Sequence, residues 1–500
     1  MSLDERTPVI VGAGQFLNRV DSGSDPLCPT DLMAQAASIA DRDAGVALAG
    51  RADVVAAVPT ISWRHRDAAL LVAEAVGATD AHTWYPAMGG NTPGMMLNRM
   101  AGEIASGNLE VGLLVGGEAW HTRSRSLKAD TRPDWPVQDE SVQPDWGSTD
   151  SFEMGHPAEH AREIFQPVQT YPLFETALIH AALTENPGRT LEDQIALVGQ
   201  MWAGFSKVAA ANPHAWRREE LTASEITTAD SDNRFVGWPY TKRMVSNPDV
   251  DMSSALIVTS AAAARSAGVS RDRWVHCWSG TDGKDRVMSE RHSFTRSPSI
   301  GVAGRRSLEL CEVDLDDVAH LDVYSCFPSA VELFCREFGL DPLERQLTVY
   351  GGLAFAGGPW NNPVGHALAT MVDVLRNEAG SLGLVTGNGG NVDKHSFGLL
   401  GTEPPPDGFR HEAPQREIEA ETEGREVLET HSGQVEIEAW TVMHDRDNAS
   451  ERLHAACLTS SGERVWGVST DADAMLAAES RDLGGTAAEI AADGQLTLAG

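Results

Sequence analysis

The chain has few lysines, no paired cysteine motif and no long apolar run. Only five lysines stand against 34 arginines in 500 residues, and the formal net charge is −33. A chain so acidic offers no clustered cations to a phosphate backbone, so nucleic-acid binding is excluded as its main activity. Six cysteines (Cys28, Cys277, Cys311, Cys326, Cys335, Cys457) are scattered without a CxxC. That spacing excludes a zinc ribbon and argues against a disulfide scaffold. No stretch of about 18 apolar residues exists, so no membrane span is expected. The opening "MSLDERTPVIVGAGQ" is acidic and lacks the basic and apolar regions of a signal peptide. A reducing cytoplasm is the expected compartment.

What is present is an alternation of strands and helices. "PVIVGAG" (8–14), "DVVAAVPT" (53–60) and "VGLLVGG" (111–117) read as buried strands that end in turns. Between them, Met96, Met100 and Ile104 fall on one face of a helix. This predicts a mostly parallel sheet covered on both faces. From His121 the pattern dissolves into a polar stretch rich in Pro and Trp, followed by two amphipathic helices. Strand-helix order resumes at "SSALIVTSAAAARSAG" (253–268). "EVGLLVGGEAW" and "SLGLVTGNGGN" look alike, which suggests one α/β unit used twice. After "GTEPPPDGFR" (401–410) the composition shifts. In "GQVEIEAWTVMH" (433–444), Val435, Ile437 and Ala439 alternate with Glu436 and Glu438. Residues 410–500 therefore read as a small antiparallel, barrel-like β domain.

The assembled motifs resemble the thiolase superfamily over about residues 6–402. Within it they resemble the sterol-carrier-protein-type thiolases, and a thiolase-like group with an extra C-terminal domain whose members are commonly called acetyl-CoA acetyltransferases. The resemblance rests on "PVIVGAG", "IASGNLEVGLLVGGEAW", "DVYSCFPSAV", "GGLAFAGGP" and "GLVTGNGGN", in that order. It implies a layered αβαβα fold. The first half would span 1–120 and 245–275, a loop domain 121–244, the second half 276–403, and the added β domain 410–500.

The same resemblance implies an altered site. Thiolases acylate one cysteine, activate it with a histidine in a G-H-P loop, and move a proton with a second cysteine. Carried over, those positions fall on Gly90, Gly358 and Gly387. The segment that reads E-A-F in thiolases is Tyr324-Ser325-Cys326-Phe327. The ordinary thiolase mechanism is thus expected to be absent. Gly90 would leave space where a side chain stands in the family, and the elbow around it would bind a thioester oxygen rather than attack it.

The remaining catalytic candidates are His366, Asn388 and Cys326. His366 lies at a helix start, where the dipole favours neutral imidazole. Cys326 lies at a strand end beside the expected pocket. Asn388 shares the glycine-rich loops with Asn91, Asn361 and Asn362, which with Thr92, Ser325, Lys394 and His395 are the candidate substrate contacts. Arg123, Arg125 and Lys128 are the candidate partners of CoA phosphates, since guanidinium pairs with phosphate bidentately. No bound cofactor or metal is expected, with a CoA thioester as substrate or ligand. Two functions follow: an acyltransferase-type CoA-thioester protein of lipid metabolism with altered chemistry, or a non-catalytic binder of acyl-CoA or lipid whose β domain docks a protein partner. The chain would be a homodimer or a monomer.

Overall fold

The computed structural model describes residues 4–19, 26–147 and 154–499. In chain order the first half contains β1 (Pro8–Leu17), α1 (Pro29–Ala44), β2 (Val54–Ala57), α2 (Ala68–Val76), β3 (His82–Tyr85), α3 (Thr92–Ala105) and β4 (Val111–Ala119). An insertion follows, with α4 (Trp120–Lys128), β5 (Trp146–Gly147), α5 (Pro157–His160), α6 (Pro167–Glu185), α7 (Leu191–Ala211), α8 (Ala223–Thr227) and the short strands β6 (Phe235–Gly237) and β7 (Tyr240–Thr241). β8 (Asp251–Ser260) and α9 (Ala261–Ala267) complete the half. The second half runs β9 (Val275–Lys284), α10 (Pro298–Glu309), β10 (His320–Asp322), α11 (Pro328–Phe338), α12 (Pro363–Asn377), β11 (Leu382–Gly389) and β12 (Lys394–Gly401). The tail holds β13 (Arg410–Glu412), α13 (Gln415–Glu421), β14 (Val427–Leu428), β15 (Gly433–His444), β16 (Ser450–Leu458), β17 (Arg464–Ser469), α14 (Ala472–Ser480), β18 (Ala487–Ile490) and β19 (Leu496–Leu498).

Strand order carries the duplication. The first half pairs β3-β2-β4-β8-β1, and the second pairs β10-β11-β12-β9. In each half a parallel pair (β2/β4, β10/β11) is followed by two antiparallel ones (β4/β8/β1, β11/β12/β9). The sheet is therefore mixed rather than mostly parallel. β8 returns from a long insertion, and β12 from a tight turn, so neither is bound to the parallel direction that a crossover helix imposes. The two halves meet where Val9 and Ile10 pair with His276 and Val275.

Both faces of the first-half strands are apolar because both are covered. Val9 and Val11 of β1 face the cluster built with α1 and α2, whereas Ile10 faces the central layer. Helix α3 lies in that layer, with Met96, Met100 and Ile104 fully buried, as the spacing predicts. It also reaches the second half. Asn98 Nδ2 donates to the Phe397 carbonyl at 3.2 Å and the Thr281 carbonyl at 3.3 Å. A side chain at Gly280 would collide with Asn98, so glycine there admits the helix.

The tail forms a second sheet, β14-β17-β16-β15-β18-β19. One parallel bridge between Val468 and Gln495 brings β17 to the start of β19, so the sheet curls round on itself. The expected alternation in β15 holds at Val435 and Ile437, then fails. The register shifts between Ile437 and Ala439, and Ala439 turns to the core of the body. Such a bulge re-aims the side chains beyond it. This sheet is joined to the body. β6 of the insertion pairs with β15, and Trp466 Nε1 donates to Ser289 Oγ at 2.8 Å. Among the described residues, no helix is long and apolar enough to cross a membrane.

Candidate functional site

The elbow before α3 lies flat on the end of β11. A β-carbon at Gly387 would approach Asn91 Cα to 2.9 Å, and one at Gly389 would approach Gly90 N to 3.1 Å. The missing side chains at 387 and 389 let the elbow backbone come this close. Thr92 N, the first amide of α3, donates to the Gly89 carbonyl at 3.0 Å, and Thr92 Oγ1 donates to the Ala87 carbonyl at 3.1 Å.

The segment after β10 closes over the elbow. Tyr324 N donates to Thr386 Oγ1 at 2.9 Å, which fixes the tyrosine beside β11. A β-carbon on Gly90 would collide with Tyr324 Oη and with the Asn388 carbonyl oxygen. The space expected at Gly90 is therefore filled, and a phenol fills it. Asn388 Nδ2 donates to Tyr171 Oη at 3.1 Å and lies 4.0 Å from Cys326 Sγ. Tyr171 Oη donates in turn to the Gly390 carbonyl at 3.2 Å, and its ring stacks on Phe327 at 4.4 Å. Tyr171 comes from α6 of the insertion, where no strand-end motif marks it. Tyr324 sits inside a motif singled out above, beside the cysteine that drew attention.

These groups are neutral at physiological pH. Burial pushes the Cys326 thiol up to about 12. It pushes the Tyr171 and Tyr324 phenols well above their usual value as well. Charged forms are poorly solvated here, so neither a thiolate nor a phenolate stands ready. Among the described residues, the buried Oδ1 atoms of Asn91 and Asn388 have no donor. Such acceptors suit a ligand that brings O–H or N–H groups.

The other candidates are spread more widely. Gly358 packs against Ser246, whose hydroxyl a β-carbon at 358 would strike. Asn361 Nδ2 donates to the Pro59 carbonyl at 2.9 Å, and Asn362 Nδ2 donates to Ser254 Oγ at 3.0 Å. Both amides hold the interior together. His366, in the first turn of α12, is fully buried. Its Nδ1 meets Gln15 Oε1 at 2.8 Å and its ring stacks on Tyr350. Burial, with His214 nearby, brings its pKa down to about 3. Ser325 is buried near Gly352. Lys394 Nζ lies 3.5 Å from the Met88 carbonyl, just before the elbow, and burial lowers its pKa. His395 Nε2 donates to the Val392 carbonyl at 2.9 Å. Arg123, Arg125 and Lys128 lie on α4, with Arg123 over the Trp63 ring. Among the described residues, no group of His, Cys, Asp and Glu could hold a metal ion.

Residues 414–495 match the family model described as the thiolase-like protein type 1 additional C-terminal domain. A monomeric SCP2-thiolase like protein type 1 from Mycobacterium smegmatis superposes over 100% of both chains, with a TM-score of 0.83 and 27% identity. This chain has the thiolase fold and carries the added domain of the type 1 thiolase-like proteins. The Ltp2-ChsH2(DUF35) aldolase covers 79% of this thiolase-like chain and 97% of its own, at TM-score 0.58 and 20% identity. Human mitochondrial 3-ketoacyl-CoA thiolase covers 79% and 99%, at 0.58 and 14%. No curated protein matches the sequence. In this thiolase-like chain the elbow and the end of β11 lie side by side, with glycine at both positions that the resemblance assigns to cysteines.

Proposed function

We propose that this protein binds an acyl-CoA thioester of lipid metabolism at the elbow and does not form an acyl-enzyme there. The observation that carries the reading is the Tyr324 hydroxyl in the space beside Gly90, where the resemblance puts the acylated cysteine. The nearby sulfur, Cys326, is buried and held as a neutral thiol. Acyl transfer to sulfur needs a thiolate and a base to make it. His366 has its Nδ1 committed to Gln15 and lies in the interior. The unpartnered Asn91 and Asn388 oxygens suit the amide N–H groups of a pantetheine arm or a substrate hydroxyl. Thiolase-fold relatives that act on CoA thioesters support the substrate class.

The test is incubation of the whole chain with acetyl-CoA and with acetoacetyl-CoA. Saturable binding by calorimetry is expected, with no mass increase of the protein and no release of free CoA. An acyl adduct on any cysteine sinks the reading.

A second reading is a carbon–carbon lyase acting on a hydroxyacyl thioester. It is favoured by the buried phenol of Tyr324, a neutral donor for a thioester oxygen, beside the Tyr171 phenol. A relative named as an aldolase supports it. Release of an aldehyde or ketone from a 3-hydroxyacyl-CoA, lost in Tyr324→Phe, distinguishes it from simple binding.

A further inference from the structure

A second site lies where the first half meets the start of the insertion, and none of its lining residues belongs to the elbow. An open groove of about 400 Å³ is lined by Ile61, Trp63, Arg64, Trp120, Arg123, Leu127, Arg132 and Val137. Its walls are tied down. The Glu118 carboxylate accepts from Ile61 N at 2.7 Å and Ser62 N at 2.8 Å, and Ala119 N donates to Ser62 Oγ at 3.0 Å. On the other wall, Trp63 Nε1 donates to the Pro136 carbonyl at 2.8 Å, and the Trp63 ring meets Trp135 edge-on at 5.3 Å.

Two chemistries meet in this groove. The Arg132 guanidinium lies 5.0 Å from the Trp63 ring centre, and that of Arg123 lies 5.7 Å from it. Arg64 lines the same space. Among the described residues, none of the three has a carboxylate partner, in a chain of net charge −33. Beside them are Ile61, Leu127 and Val137, which are 37%, 54% and 71% exposed. They are three of the six large apolar side chains exposed among the described residues. Unneutralised arginines and exposed aliphatics in one place mark a binding surface rather than ordinary solvated chain.

We propose that this groove binds a small, free amphipathic anion. Its single carboxylate or phosphate head pairs with Arg64, Arg123 and Arg132, and its aliphatic body covers Ile61, Leu127 and Val137. A nucleotide fits less well. Trp63 is only 7% exposed, covered by two guanidinium groups and Trp135, so it has no open face for a base. The inference is independent of the elbow, since no residue of the groove belongs to it.

The experiment titrates the whole chain with monomeric dodecanoate and dodecyl phosphate, followed by calorimetry and tryptophan emission. Dodecanol, dodecyltrimethylammonium, CoA and phosphatidylglycerol vesicles are the comparison arms. Saturable one-to-one binding of both anions is expected, weakening as salt rises. Dodecanol should bind at least about tenfold more weakly, and Arg123→Glu/Arg132→Glu should lose at least about tenfold in affinity. Leu127→Glu, at an exposed position, should weaken binding in the same direction and covers the case of a misfolded double variant. The proposal is overturned by absence of saturation, by equal affinity for dodecanol or the cation, or by unchanged affinity in both variants. Binding of vesicles or of CoA without binding of the alkyl anions overturns it too.

Discussion

The hydroxyl of Tyr324 occupies the space that a side chain on Gly90 would need. A β-carbon there would also strike the Asn388 carbonyl oxygen, which belongs to the backbone and cannot rotate away. Gly90→Ala should therefore destabilise the fold by about 1–3 kcal/mol, the usual range for overpacking a tight interior. Tyr324→Leu should relieve part of that loss, because it removes the ring but not the carbonyl. Urea unfolding of the two single variants and the double variant measures the coupling. Additive effects would show that the two residues do not compete for the same space.

The same crowding bears on Gly90→Cys. Restoring a sulfur should not restore acylation, since Tyr324 and the Asn388 carbonyl already fill the space that the new side chain needs. Intact-mass analysis after incubation with acetyl-CoA is expected to show unmodified Gly90→Cys protein. An acetylated species that disappears on reversion would show that the sulfur alone was missing.

Cys326 should behave as an inert core thiol. With its pKa pushed up to about 12, only about one molecule in ten thousand carries a thiolate at pH 8. Of the six cysteines only Cys311 is partly exposed, so iodoacetamide should modify Cys311 first. Peptide mapping over time gives the order. Early alkylation of Cys326 would place a reactive thiolate in the site.

The elbow was legible in the sequence because glycine spacing and helix periodicity are local signals. "MGGNTPG" and the buried row Met96, Met100, Ile104 lie where that pattern puts them. Strand β15 was legible too, through alternation, up to the bulge at Glu438. What escaped was set by distance through space. Tyr171 reaches the site from a helix more than 200 residues before Asn388, and nothing near it in sequence points there. A helix start places His366, but depth decides its role, and it sits fully buried against Gln15 and Tyr350. The opening at Gly90 was an inference from one residue, whereas its filling depends on a second from the other half.

The added β domain should not detach from the body without a large loss. Arg464 is fully buried. Its Nε and Nη2 donate to the Glu438 carboxylate at 2.8 Å each, and its Nη1 donates to the Ser289 carbonyl at 2.7 Å. Removing the guanidinium leaves the largely buried Glu438 carboxylate, 13% exposed, without its paired counter-charge, a loss of about 2–3 kcal/mol. Arg464→Met should therefore lower the urea midpoint sharply, and Arg464→Met/Glu438→Gln should recover part of it. Unchanged stability of Arg464→Met would mean that the domain is held by its apolar contacts alone.

His366 should make stability depend on pH on the acid side. Its folded pKa is brought down to about 3 by burial, against about 6.5 in the unfolded chain. Between those values the unfolded chain binds the extra proton and the folded chain does not, so protonation favours unfolding. The stability tied to the neutral ring is complete above pH 6.5 and is lost as pH falls toward 3. The full difference is on the order of 5 kcal/mol, at about 1.4 kcal/mol per pKa unit. His366→Gln removes the titration and leaves an amide able to donate to Gln15. Its urea midpoint should fall less steeply than that of the parent between pH 6.5 and 4. A parallel fall in both proteins would show that His366 is not titrating in that window, and that the acid limb comes from other buried histidines such as His65, His276 and His454, which burial lowers to about 4.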